Sequence, residues 1–198
     1  MTNSSDAPSG RDAAEIRHRM ANALQLLSAL ARMRSQRAVE PDTRRQLLWM
    51  ADTIGSIGSL EKRREADMVD FAGFLAEMAP IWRRRYAPQF ADVVVQAEPL
   101  LVPEHVASTL SLIAQELIGN ALAHGFSKDH TGQVAVRLAR RPDGRCELSI
   151  SDNGRGFDPT AGGERFGLWL VRSLSEQVRG DFALVANSGV TATLTFPL

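Results

Sequence analysis

The chain has 198 residues, 23 Lys+Arg against 23 Asp+Glu and 44% apolar residues, the composition of an ordinary globular protein rather than a disordered tail or a disulfide framework. Zero formal charge lacks the basic excess of a dedicated nucleic-acid binder, and the single cysteine, Cys146, allows no intrachain disulfide, which fits a reducing cytoplasm. The balance is uneven along the chain: residues 1 to 64 carry 11 basic and 7 acidic side chains, and residues 65 to 198 carry 12 and 16. No stretch approaches the roughly 18 apolar residues of a membrane span and Met1 to Gly10 lack the apolar core of a signal peptide, so a cytoplasmic protein without a membrane span is expected.

Residues 1–12 open on a polar run rich in Ser, Pro and Gly and are expected to be flexible. From Ala13 to about Arg37, Ile16, Met20, Leu24, Leu27, Leu30 and Met33 recur at spacings of three and four, the period of one helical face. Pro41 and Asp42 interrupt the pattern, and Asp42 is expected to cap a second helix carrying Leu47, Met50, Ile54, Ile57 and Leu60, which ends in the charged cluster Glu61 to Glu65. Residues 13–65 thus read as an antiparallel helical hairpin. Two helices leave one side of their apolar seam open. Pairing with a second copy into a four-helix bundle is the economical solution, and packing on the rest of the chain is the other.

Residues 66–198 read as a second, α+β domain with a mixed sheet under helices. A helix is expected from Met68 to Arg84, with a break or bend at Pro80. Val93 to Val95 reads as a buried strand, and a helix begins at Pro103 and Glu104 and runs to about Gly125. Alternation through Val134, Val136 and Leu138, a turn at Pro142, Asp143 and Gly144, and alternation through Cys146, Leu148 and Ile150 make a two-stranded hairpin in which Cys146 is core filling, not a nucleophile. Phe166 to Val178 has helical spacing, and Phe182 to Val185 and Val190 to Phe196 form two closing strands. Trp49, Trp82 and the arginines after Trp82 read as packing and solvated charge, and His105 and His130 as surface residues.

Three features carry chemistry. Glu116, Asn120 and His124 are spaced four apart on an otherwise apolar helix, and carboxylate and amide oxygens there are hard ligands suited to Mg²⁺, which usually bridges to substrate phosphates. A solvated helix face is the plain alternative. Asp152, Asn153, Gly154, Arg155, Gly156 and Phe157 follow a strand directly, and glycines two apart allow close approach of a flat ligand, although the same run could be only a turn. Gly162, Gly163 and Gly167 surround the start of the next helix, a flexible loop beside a helix N-terminus where phosphates bind readily.

Taken together, ELIGNALAHGF at 116–126, SDNGRGFDP at 151–159 and GGERFGLWLV at 162–171 resemble the N, G1 and G2 boxes of the GHKL ATPases, which include histidine kinases, gyrase-type ATPases and anti-sigma-factor kinases. The resemblance implies a Bergerat-type sandwich, ATP with its adenine on Asp152, a pocket shaped by Gly154 and Gly156 and completed by His124, Gly163, Gly167 and Leu168, Mg²⁺ held through Asn120 and Glu116, and a lid from about Asp158 to Gly167. EIRHRMANALQLLSAL at 15–30 resembles the phosphoacceptor helix of histidine kinases with an HRxxN signature, at His18, Arg19 and Asn22. His18 is then the phosphoacceptor, its neutral imidazole able to attack a γ-phosphate, with Arg17 and Arg19 steering phosphate charge and Glu116 accepting the proton or holding a water.

The reading that follows is an ATP-dependent protein-histidine kinase core, dimeric through the hairpin, which phosphorylates His18 and passes the phosphoryl group to an aspartate of a response-regulator receiver. About 14 residues precede the phosphoacceptor motif, so the signal is expected from a separate sensor protein or through the dimer. Two alternatives stand beside it: a histidine phosphotransfer relay with a vestigial ATP domain, and an anti-sigma-like GHKL regulator, for which the His18 hairpin would have no use.

Overall fold

The three-and-four spacing of the first 60 residues closes into two helices, α1 (Gly10–Arg37) and α2 (Pro41–Glu61), in the computed structural model. The residues it describes are 10–86, 90–127, 129–156 and 166–198; the run 1–9 and Gly162 and Gly163 of the glycine loop lie outside them, as does the expected lid up to residue 165. Helix α1 takes in Gly10 to Asp12, assigned above to the flexible start. Asp42 does not cap α2. Glu40 holds that position without a side-chain cap bond, Pro41 fills the first helical turn, where its fixed φ and missing N–H cost nothing, and Asp42 sits one step inside, paired with Arg45 at the positive end of the helix dipole. Between the helices Ser28 Oγ donates to the Ala51 carbonyl at 2.7 Å, and Arg32 Nη2 stands 3.4 Å from the buried Asp52 Oδ1.

The chain divides into two compact units, Met1–Lys62 and Arg63–Leu198. The second begins with short strands that no periodicity announces: β1 (Arg64–Glu65), β2 (Met68–Asp70) and, later, β4 (Leu101–Pro103) form an antiparallel sheet in the order β1-β2-β4. The helix expected from Met68 therefore starts at Phe71. Val69 and Val102 pair across β2 and β4 and are both buried, so sheet pairing outcompetes helical extension there.

Helix α3 (Phe71–Tyr86) runs through Pro80 without the expected break. Pro80 and Ala76 are both exposed, so the carbonyl that loses its partner meets water, while Phe71, Phe74, Leu75, Met78 and Trp82 are buried along the other face and hold the helix. Strands β3 (Ala91–Ala97), β5 (Gly132–Arg140), β6 (Cys146–Asp152), β7 (Asp181–Ala186) and β8 (Val190–Phe196) form a five-stranded mixed sheet in the order β3-β5-β6-β8-β7, with β3 and β5 parallel and the other pairs antiparallel.

Alternate residues of its central strands, Val134, Val136, Cys146, Leu148, Ala192 and Leu194 among them, are buried, and Cys146 is core filling as expected. Helices α3, α4 (Glu104–His124) and α5 (Phe166–Gln177) cover the sheet, making an α+β sandwich with a helical N-terminal part. Helix α4 is long and apolar enough to cross a membrane by length and composition, contrary to the expectation that no stretch comes near, but it is the central core helix, with Leu110, Ile113, Ala114 and Ile118 fully enclosed.

Phe74 is fully buried, with Phe71 stacked at 5.4 Å and Trp82 edge-on at 6.4 Å between ring centroids. Phe74→Ala should destabilise the second unit by about 3–5 kcal/mol in denaturant unfolding. An unchanged midpoint would show that this cluster does not anchor α3.

Candidate functional site

Because α4 is a core helix, few of its positions face out of the core. Glu116, Asn120 and His124 share one of those faces, together with Leu117 and Ala121, and line a cleft of about 150 Å³. Asn120 Nδ2 donates to Glu116 Oε1 at 2.9 Å, which commits the amide nitrogen to the carboxylate and leaves Oδ1 as a neutral oxygen ligand. This donor set of two hard oxygens on adjacent turns fits Mg²⁺ that brings part of its shell from water and phosphate. Among the described residues no group of three or more His, Cys, Asp or Glu could hold a metal by itself.

Opposite α4 the cleft is walled by strand ends: Ile150 and Asp152 of β6, Leu184 of β7, and Val190 and Ala192 of β8. Ile150, Leu184, Val190 and Ala192 make this wall apolar, and Asp152 adds a carboxylate to it. Burial pushes the Asp152 carboxyl above its ordinary value, against the opposing effect of the N–H groups of Gly154 and Val190; Gly154 N donates to Oδ1 at 2.9 Å. A half-buried carboxylate beside an apolar floor suits a planar heterocycle presenting an exocyclic amine.

The third wall is the first turn of α5, with Gly167 and Leu168. A Cβ on Gly167 would overlap Glu116 Oε1 and lie 3.3 Å from Asn120 Nδ2, so a glycine is what lets α5 lie over the polar row. Gly156, with φ of 66°, also lines the cleft. Gly154 is buried against the end of α4 and does not line it, and Gly163 lies outside the described residues. Ala123 is exposed and outside the cleft, so it is His124 that brings a basic side chain to the wall.

Sequence reasoning passed over His130 as a surface residue. It is exposed, but its Nε2 lies 3.0 Å from the Asn153 carbonyl and its ring stacks on Phe126 at 6.4 Å, so it fastens the turn that follows β6. The signal was a contact between residues 23 apart in sequence, which local pattern does not carry.

In the helical unit His18 is exposed on α1, and its Nδ1 lies 3.3 Å from the Asn22 side-chain amide. Which group donates depends on the ring tautomer and on the amide's orientation. Arg19 pairs with Glu15 at 2.5 Å, both well exposed.

Two family models match. Residues 15–85 match one described as histidine kinase, and residues 105–198 match one described as histidine kinase-, DNA gyrase B- and HSP90-like ATPase. Blue-light-activated histidine kinase 2 of Erythrobacter litoralis is 26% identical over 198 residues, covering 89% of this chain and 56% of that protein. Sensor histidine kinase PdtaS of Mycolicibacterium smegmatis is 26% identical, covering 93% of this chain and 39% of that protein. The chain thus spans about half the length, or less, of these curated relatives. Among solved structures, the histidine kinase domain of the Erythrobacter litoralis EL346 blue-light-activated kinase superposes with a TM-score of 0.71 at 18% identity, covering 89% of this chain and 96% of that one, a likeness of fold.

A carboxyl whose pKa is raised by folding costs stability above that raised value, and the cost vanishes as the pH falls below the ordinary aspartate value of 3.8, where the group is protonated folded and unfolded alike. Asp152→Asn should therefore raise the melting temperature at pH 7, with a gain that shrinks as the pH falls toward 3.8. A lower melting temperature at pH 7 would show that the carboxylate stabilises the fold instead.

Proposed function

Since the chain belongs to the histidine kinases, matched over residues 15–85 and, by the ATPase model, over residues 105–198, we propose that it transfers the γ-phosphoryl group of ATP to His18 and then to an aspartate of a response-regulator receiver. The observation that carries this reading is the meeting of Glu116, Asn120, Asp152, Gly156 and Gly167 on one cleft, in a chain whose first helix exposes His18 beside Asn22.

In this reading adenine lies on the apolar floor with its amine at Asp152, and the phosphates run toward the polar row of α4 and the N-terminus of α5, where backbone N–H groups and the helix dipole favour anions. Asn120 and Glu116 would hold Mg²⁺, which would supply neutralisation of the phosphate charge. His18 reacts as the neutral imidazole, the form in which one ring nitrogen offers a lone pair. With Nδ1 engaged by Asn22, Nε2 is the nitrogen free to react. Turning the Asn22 amide so that Oδ1 accepts from Nδ1–H places the lone pair on Nε2. That pair forms the N–P bond as the bond from the γ-phosphorus to the bridging oxygen breaks, its electrons leaving on ADP. The Nδ1 proton is then lost to water, which leaves a neutral phosphorylated ring.

The hairpin supports a dimer. Ile16, Met20, Leu27, Leu30 and Met33 keep the helical spacing yet are 44–61% exposed in a single chain, a stripe that a second copy forming a four-helix bundle would cover. Residues 13–65 then serve dimerisation and phosphotransfer, and residues 66–198 serve ATP binding.

Incubation with γ-labelled ATP and Mg²⁺ should give label that acid removes and alkali leaves, lost to background in His18→Ala and in Asp152→Asn. Equal labelling of His18→Ala would overturn the assignment of the phosphoacceptor.

A further inference from the structure

Arg155, the residue between the two glycines of the turn after β6, enters none of the roles above. Helix α4 needs what it offers. The last carbonyls of a helix lack partners within it, and many helices recover them through a left-handed residue just past the end. Gly125 does not do this: its φ of −75° and ψ of −27° are right-handed, and its N–H simply continues the helical pattern to the Ala121 carbonyl at 2.8 Å. The donors come from Arg155 instead. Its Nε donates to the His124 carbonyl at 2.8 Å and its backbone N–H donates to the Gly125 carbonyl at 3.0 Å. The guanidinium thus stands at the negative end of the α4 dipole.

The contact is tight. A Cβ on Gly154 would come within 2.7 Å of the Gly125 carbonyl and within 2.8 Å of both Gly125 Cα and Asp152 Oδ1, so the turn is pressed directly on the helix end. Asp152 is tied in as well, since its Oδ1 accepts from Gly154 N. On the far side Asn153 is fastened to β5, its Oδ1 accepting from Gln133 N at 2.7 Å, with His130 Nε2 at its carbonyl. Each residue from Asp152 to Arg155 is therefore anchored, and the Arg155 side chain is the link that reaches 31 positions back to α4.

We propose that Arg155 is a positioning residue for the nucleotide. By capping α4 it locks the turn that carries Asp152 to the helix that carries Glu116, Asn120 and His124, and so fixes the spacing between the adenine end and the phosphate end of the cleft. This rests on the reading of the cleft as an ATP site. Arg155 is exposed and contributes nothing to the core, so its loss should loosen the site without unfolding the protein.

The test has a part that needs no nucleotide. In Arg155→Ala, amide hydrogen exchange at Gly154 and Arg155 should accelerate while exchange in the β5–β6 strands stays unchanged. ATP titration in Mg²⁺ should show affinity weakened about tenfold, the loss expected for one charge-assisted hydrogen bond, and labelling kinetics should show the change in KM with kcat held within about threefold. Arg155→Lys, which keeps the charge at the helix end, should recover most of the affinity, and Arg155→Gln should not. Unchanged exchange in Arg155→Ala, or ATP affinity equal to wild type, would overturn the proposal. So would a fall in kcat at constant KM. If wild type itself binds no ATP while exchange responds as stated, the clasp stands and the ATP reading of the cleft fails.

Discussion

A carboxylate and an amide stand on a helix that the rest of the unit needs as its core. Leu110, Ile113, Ala114 and Ile118 of α4 are fully buried, so its remaining face has to supply both packing for α5 and the polar row of the cleft. Gly167 reconciles the two demands. Without a side chain there, α5 reaches the row directly, and Glu116 and Asn120 hydrogen-bond each other under it instead of spreading into solvent. The two side chains are thus held by each other and by α5 above them, which is the preorganisation that the proposed metal ligation requires.

The opposite wall works under a different constraint. Burial disfavours the charged form of Asp152, and only two backbone N–H groups offset it. A carboxylate in such a place is an acceptor whose hydrogen bonding improves when a ligand brings a donor. Fold stability and ligand recognition therefore pull in opposite directions at this residue, a common arrangement at binding sites.

What was legible in the sequence followed from long periodic patterns. The two hairpin helices, α4, the β5–β6 hairpin and the closing strands all announce themselves through a sustained period, because each buries one face against a continuous surface. The motif glycines and Asp152 were legible through their order and spacing, and Asp152, Gly156 and Gly167 line the cleft while Gly154 packs on the end of α4 instead. The rest depended on competition or distance. Strands of two or three residues such as β1, β2 and β4 are too short for a period, so Met68 to Asp70 read as helix. Pro41 displaced Asp42 from the cap, and Pro80 was tolerated because its helix turn faces water. Arg155 and His130 act across 31 and 23 positions, through contacts created only once the sheet has formed.

The charge asymmetry has a matching physical sense, with the basic excess in the unit that carries His18 and the acidic excess in the unit that carries the cleft. The central claim is that the polar row of α4 is a metal–phosphate site and not a solvated face. Calorimetric titration of ATP with and without Mg²⁺, into wild type and Asn120→Ala, tests it most directly. Mg²⁺ should strengthen ATP binding to wild type by about tenfold or more, and this gain should disappear in Asn120→Ala. Equal ATP affinity with and without Mg²⁺ in wild type would contradict the account.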